Sequence, residues 1–317
     1  MNCIVLLIAT FIFRSLVIFA DASEYSLDPE WPKMPEGWKF RMVSNIAGDS
    51  KGRIYVAHRG AHPVVYFDRS GKFLGSLGED ILKQSVNYNL TVSPPIPISR
   101  EYWAHGLHVD PSDNVWVTDL GRQVVMKFSR DGKLLMTLGT LDQSGESPTN
   151  FHQPSSVAVA RSGDIYVADG YGNSRVVKFS PEGKYLKAWG KKGSGRGEFD
   201  TPHGIAVDDN GKVYVAERLN NRIQVFDSEG RFLAEWPNYP RADSIFITRK
   251  GQAYVGTGKG DTRIHLLDLS GHLLETIGTE KALGYPHGVF VDSEGSLYIA
   301  DPIANSASQP PRRFVKK

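Results

Sequence analysis

The chain has 317 residues, enough for one large domain or two ordinary ones and for a substantial core. Its formal net charge is +2, with acidic and basic residues mixed along the chain, which excludes the clustered basic face of a nucleic-acid-binding protein. The single cysteine, Cys3, lies in an apolar N-terminal run, so a chain trimmed of that run has no disulfide and no thiolate ligand, and any metal it binds must take histidine and oxygen.

The N-terminal run reads CIVLLIATFIF over residues 3–13, is interrupted by Arg14 and continues as SLVIFADAS. It is short for a membrane span, and Ala20-Asp21-Ala22 fits an A-x-A cleavage site, although no basic segment precedes it. Residues 1–22 are therefore read as a signal peptide, followed by an N-terminal extension over 23–37. The mature chain is expected to be secreted, or to lie in the lumen of the secretory pathway or the periplasm, with no membrane attachment after cleavage. Asn89-Leu90-Thr91 is a sequon, which makes Asn89 a candidate glycosylation site if the pathway is eukaryotic.

From residue 38 onward the chain repeats one phrase: apolar-x-apolar-D-x-x-G-x-apolar-apolar-apolar, a polar turn, R-apolar-x-x-F, a second turn, and L-x-x-x-G. Six copies occur, IAGDSKGRIYVAHR (46–59), LHVDPSDNVWVTD (107–119), VAVARSGDIYVAD (157–169), IAVDDNGKVYVAE (205–217), IFITRKGQAYVGT (245–257) and VFVDSEGSLYIAD (289–301). Their turn positions, Gly52, Asn114, Gly163, Gly211, Gly251 and Gly295, lie 40 to 49 residues apart except for a first interval of 62. Each copy holds short alternating or apolar runs bounded by Asp/Asn/Gly turns, the signature of strands and hairpins, and no segment sustains a helical period. Four short strands in about 45 residues make a propeller blade. The fold expected is an all-β, six-bladed β-propeller over 38–317, and motifs such as VYVAERLNNRIQVF resemble NHL repeats.

The long first interval predicts an insertion at 79–102, EDILKQSVNYNLTVSPPIPISREY, read as a loop over one face because SPPIP does not suit a central strand. GKKGSGRGEF (190–199) is glycine-rich, but no helix follows it, so it is read as a link between blades and not as a phosphate cradle. At the C-terminus, two prolines precede RRFVKK, where the last blade still needs strands. Either RRFVKK supplies a short outer strand or an N-terminal segment such as GWKFRMV (37–43) closes the ring.

Alignment of the six copies gives one position per blade at the start of the inner strand, occupied in order by Ser44, His105, Ser155, His203, Asp243 and His287. Histidine stands in blades two, four and six alone, about 120° apart in a six-fold ring, so three imidazoles are expected to converge on the axis. The plainer reading is that His-Gly belongs to the repeat consensus and serves packing, but a consensus gives no reason for Ser44, Ser155 and Asp243 to fall on the odd blades. Three histidines with an open fourth position suit a catalytic zinc, with iron, copper or cobalt as alternatives. The other six histidines, His58, His62, His108, His152, His265 and His272, do not share this register and are read as surface or loop residues.

Residues just past each blade's second strand return to the same rim: Arg59 in blade one, Tyr171 in blade three and Arg218 in blade four. Two guanidinium groups suit a substrate with a carboxylate, and a tyrosine there can give or take a proton. Without the metal, both arginines would be read as rim ion pairs.

Taken together, VAHRGAH, HGLHVDPSDNVWVTD, VADGYGNSRVVKFSPEGK, TPHGIAV and VAERLNNRIQVF resemble the peptidyl-α-hydroxyglycine α-amidating lyase family, over about residues 38–305. The resemblance implies zinc on His105, His203 and His287, an essential arginine at Arg59, a catalytic tyrosine at Tyr171 and a further arginine at Arg218. It also implies a calcium on the backbone carbonyls of Ile46 and Leu107 and on an aspartate directly after the third histidine. Gly288 stands there, which leaves that set without its carboxylate. The two disulfides of animal members map onto His152 with Gly172 and Tyr214 with Val225, so both bridges are gone and the chain is a distant branch.

The implied reaction cleaves a peptidyl-α-hydroxyglycine, or a related N-acyl carbinolamine, to a peptide amide and glyoxylate. The substrate is a small peptide or N-acyl-hydroxyglycine, supplied by a separate copper monooxygenase because this chain has no room for one. The alternative is a secreted propeller that binds a protein or glycan and catalyses nothing.

Overall fold

The structure is a computed structural model that describes residues 24–90, 92–278, 283–302 and 310–317. The expected signal peptide lies outside the described residues, as does Thr91 of the sequon. Six four-stranded antiparallel sheets form the six blades of a β-propeller, as the repeat predicts. The inner strands are Val43–Gly48, Ala104–Val109, Ser156–Val159, Pro202–Val207, Ser244–Ile247 and Gly288–Val291. Each packs against the next, and the sixth against the first, so the ring is closed around a central channel of about 120 Å³. Among the described residues no helix is long and apolar enough to cross a membrane.

In the blades at the middle of the chain the second and third strands are buried on both faces because neighbouring blades cover them. Ile165–Asp169 and Arg175–Phe179 are buried throughout. Where blade three meets blade four, Tyr166, Ala168, Phe199, Val213, Val215 and Phe226 form one cluster. Each large side chain buried there contributes about 1.5–3 kcal/mol. At the ends of the second strands, buried ion pairs tie the third strand back: Asp169 to Arg175 at 2.9 Å and Glu217 to Arg222 at 2.7 Å. The glycine-rich 190–199 segment is a blade link, and its carbonyls at Ser194, Gly195 and Glu198 accept hydrogen bonds from Arg222.

Three expectations need correction. The last blade is completed from both termini: Arg312–Lys316 is its third strand, not its outer one, and Tyr25–Asp28 pairs with it antiparallel as the outermost. Part of the expected N-terminal extension is therefore propeller, and the closing segment precedes GWKFRMV. The insertion is not a plain loop but a two-stranded hairpin, Ser85–Asn89 with Ile96–Glu101. Its prolines fall at the tip and in the edge strand, where the missing N–H breaks no central ladder. Third, His58, His108 and His265 are not surface residues. His58 is 1 % exposed, His265 is 7 % exposed, and His108 lines the channel and accepts a hydrogen bond from the Val159 N–H at 3.2 Å.

Candidate metal centre

The three histidines meet on the axis. Their ring centroids form a near-equilateral triangle, with separations of 4.9 Å for His105–His203, 5.0 Å for His105–His287 and 4.7 Å for His203–His287. One ligand nitrogen from each lies within 4.8 Å of the other two, so the cluster can hold a metal ion.

The odd blades explain the alternation. His105 Nδ1 donates to the Ser155 carbonyl at 2.7 Å, His203 Nδ1 to the Asp243 carbonyl at 2.6 Å and His287 Nδ1 to the Ser44 carbonyl at 2.7 Å. Each imidazole from an even blade is thus held by the backbone of the register residue in the next odd blade. With Nδ1 carrying the proton, the Nε2 lone pairs face one another, and such an orienting bond is what a metal-ligating histidine requires. Burial holds His105 well below its usual range, at about 3, and His203 and His287 are also held far down, chiefly by burial. All three are therefore neutral imidazoles, and the donor set fits a zinc ion.

The serines close the frame in the other direction. Ser44 Oγ donates to the Ala104 carbonyl and Ser155 Oγ to the Pro202 carbonyl, both at 2.8 Å; in blade five Ser244 Oγ reaches the Pro286 carbonyl at 3.3 Å. The glycine after the histidine is required by this close approach. A Cβ at Gly106 would stand 2.6 Å from the Ser155 carbonyl oxygen, and one at Gly204 would stand 3.0 Å from that of Asp243. These are the oxygens that orient His105 and His203.

Tyr171 and Arg218 come to the same point. Tyr171 Oη lies 2.9 Å from His203 Nε2 and 3.2 Å from His105 Nε2. Arg218 donates from Nη1 to Tyr171 Oη at 3.1 Å and from Nη2 to His203 Nε2 at 2.6 Å, while its Nε donates to the Asp243 carboxylate. Arg59 also lies within electrostatic reach of Tyr171 and His105, but has no such partner among the described residues. Its guanidinium lies 4.1 Å from the centroid of the Trp103 ring, and its Nε is buried with no hydrogen-bond acceptor. Burial pushes its pKa down, against the nearby charges of Tyr171 and Glu101. Two residues beyond the expected set serve this site. His58 Nδ1 accepts from the N–H groups of Arg41 and Gly60, both at 3.2 Å, and so fixes the turn that carries Arg59. The base of the hairpin supplies Trp103, whose Nε1 donates to the Ser85 carbonyl at 2.9 Å. Asn89 lies at the end of the hairpin's first strand.

An NHL repeat model matches residues 151–179 and 199–226. A lyase of Drosophila melanogaster named "Peptidyl-alpha-hydroxyglycine alpha-amidating lyase 1" is 39% identical, over 87% of this chain and 58% of the relative. The "Probable peptidyl-alpha-hydroxyglycine alpha-amidating lyase" of Caenorhabditis elegans is 30% identical over 81% of this chain and 79% of its own length. The chain belongs to the peptidyl-α-hydroxyglycine α-amidating lyase family. The "Peptidylglycine alpha-amidating monooxygenase" of Rattus norvegicus is 32% identical over 83% of this chain, which spans 30% of that longer protein. A streptogramin B lyase structure shares the fold, with a TM-score of 0.59 at 15% identity over 92% of this chain and 88% of that one.

The family's calcium set does not fit. Ile46 and Leu107 line the channel with His105 and His203, but at Gly288 there is no side chain to complete the set. Asn45 fills the space instead: its Oδ1 lies 2.9 Å from where a Cβ of residue 288 would stand and accepts the Ile46 N–H at 2.8 Å. Among the described residues that line the channel, Asp243 is the one carboxylate, and Arg218 and Tyr285 hold it. Calcium takes six to eight oxygens and draws on carboxylates for most of its affinity. The family's cross-link positions are packed without bridges. Tyr214 pairs directly across from Val225, and the Gly172 N–H donates to the His152 carbonyl at 2.9 Å.

Proposed function

We propose that the chain is a zinc-dependent lyase that cleaves a peptidyl-α-hydroxyglycine, or a related N-acyl carbinolamine, to a peptide amide and glyoxylate. The observation that carries this reading is one constellation: three neutral imidazoles with Nε2 turned inward, Tyr171 Oη within hydrogen-bond distance of two of them, and at the same rim an arginine that makes no ion pair among the described residues. A zinc held by His105, His203 and His287 would supply Lewis acidity toward the substrate's α-hydroxyl oxygen.

The chain's own groups divide the remaining tasks. Arg59, stacked on Trp103 and lacking an acceptor at Nε, binds the terminal carboxylate as a planar fork. Tyr171 Oη relays the proton of the α-hydroxyl. As the C=O of glyoxylate forms and the Cα–N bond breaks, the phenol receives the hydroxyl proton while its own passes to the departing nitrogen, which leaves as the neutral amide. Arg218 Nη1 holds the Tyr171 oxygen in place for both transfers. A cation on the three nitrogens would take the His203 lone pair that Arg218 Nη2 uses here, leaving Nη2 for a substrate oxygen. The α-hydroxyl must first be installed by an oxidation, and a separate copper monooxygenase is the proposed source.

The test is metal analysis followed by glyoxylate release from a hippurate-like hydroxyglycine substrate. Wild type is expected to carry close to one zinc per chain and His203→Ala to lose it. Below about 0.2 zinc per chain in wild type, unchanged in the variant, the reading fails. Zinc without glyoxylate would retain the metal centre and rule out this substrate class.

A further inference from the structure

Among the odd blades, one register residue differs from the other two. Ser44 and Ser155 spend their hydroxyls on the carbonyl of the next blade's strand. In blade five the adjacent Ser244 performs that task, so the Asp243 side chain is not needed for the frame. Its carboxylate turns instead toward the rim, where one oxygen accepts from Arg218 Nε and the other from the Tyr285 hydroxyl. Its backbone carbonyl still accepts the His203 Nδ1 proton at 2.6 Å. Arg218, fixed at Nε, aims Nη1 at Tyr171 Oη.

We propose that Asp243 is a positioning residue for the reaction: its carboxylate, braced by Tyr285, fixes the guanidinium of Arg218 and through it the Tyr171 hydroxyl. The inference rests on the lyase reading for its kinetic test and on geometry alone for its chemical one. Asp243 is 2 % exposed and the Arg218 side chain 13 %. In such surroundings a guanidinium stripped of its carboxylate is an uncompensated charge and does not keep one orientation. Arg59 shows the contrasting solution on the same rim, a guanidinium stacked on an indole and left open for an anion.

The discriminating variant is Asp243→Ser, because serine is what the fold itself places at the equivalent positions in blades one and three. Metal content is expected to stay near wild type, since His203 is oriented by the main chain, and the melting temperature to fall, since the buried Arg218 loses its counter-charge. The kcat for glyoxylate release is expected to fall about 10- to 100-fold, as for lost supporting partners of other metal sites, with KM little changed. In an Arg218→Ala background the same substitution should add almost nothing, because a residue acting through another has no effect once that other is gone. Asp243→Asn, which keeps one oxygen acceptor, should recover part of the rate. It replaces the serine variant if that fails to fold. Equal losses in the two backgrounds, or loss of the metal in a folded variant, would overturn the proposal.

A second readout separates this inference from the lyase reading. Phenylglyoxal modification of Arg218, followed by peptide mass spectrometry, needs no substrate. Release of the guanidinium in Asp243→Ser must make Arg218 react several-fold faster. An unchanged rate would overturn the positioning role whatever reaction the site performs. Faster modification in a protein that releases no glyoxylate would keep the geometry and discard the lyase.

Discussion

At the start of the inner strands, three imidazoles are committed through Nδ1 to three carbonyls, and three serine hydroxyls to three more. A few residues further along the same strands the channel is lined by Ile46, Leu107, Ile205, Ile245 and Val289, with Asn45 beside the backbone of Gly288. The two regions share one backbone and differ only in the side chains it presents. The first preorganises three nitrogen donors at little reorganisation cost because the blades themselves hold the rings. The second retains the positions of a family cation site but not the charge that would make a cation stay. Each donor set depends on its own few side chains, so a single position can remove one without touching the other.

The largest effects are expected at the first region. Tyr171→Phe removes the oxygen that accepts and returns the proton, and the rate of glyoxylate release should fall by about 10² to 10⁴, the usual worth of a general base or acid. Metal content should not change, because His105 and His203 are oriented through Nδ1 by main-chain carbonyls. A loss of metal with the rate would instead make Tyr171 a ligand-side residue. Arg59→Ala should act on binding: a charge-assisted contact is worth about 1.5–3 kcal/mol, so KM should rise about 10- to 150-fold. A substrate analogue without the carboxylate should be indifferent to that change. Gly106→Ala tests the frame. The added methyl meets the Ser155 carbonyl, the oxygen that orients His105, and it must push that strand away. Metal affinity should drop about 10- to 100-fold with the ligands themselves untouched. Wild-type affinity in this variant would show that the carbonyl is dispensable.

The repeat made the first region legible in advance. Six aligned copies put histidine on alternate blades, and alternation around a ring has a geometric meaning that no single histidine has. Arg59, Tyr171 and Arg218 were legible because each follows a second strand at the same place in the phrase. Asp243 was visible as the odd occupant of the register, but its partner Arg218 lies 25 residues earlier, and nothing in either segment specifies the pairing. His58 and His108 were misplaced for a related reason: Phe40 and Arg41, which pack on His58, precede the first repeat phrase, and the Val159 N–H that meets His108 belongs to the next blade, so no local pattern records either contact. The hairpin at 85–101 was hidden by its prolines, and the closing strand Tyr25–Asp28 by its lack of the repeat phrase, since an outermost strand needs only one partner.

The smallest effect concerns the second region and is expected to be zero in the wild type. With Gly288 in place and Asn45 in the space, adding calcium or the calcium chelator EGTA should leave the melting temperature unchanged. Gly288→Asp supplies the missing carboxylate and also creates a conflict, because its Cβ would stand 2.9 Å from the Asn45 Cα, a backbone atom that cannot simply rotate away. The strand must give, and in EGTA the variant should melt lower by several degrees, in line with about 2–4 °C per kcal/mol for chains of 150–250 residues. Calcium binds only the folded variant, so adding it should recover part of that loss in proportion to its concentration over the dissociation constant. A calcium-dependent rise in the wild type would show that neutral oxygens suffice, and the two regions would then be alike in holding a cation. No rise in the variant would show that the strand, not the charge alone, has left the geometry that calcium needs.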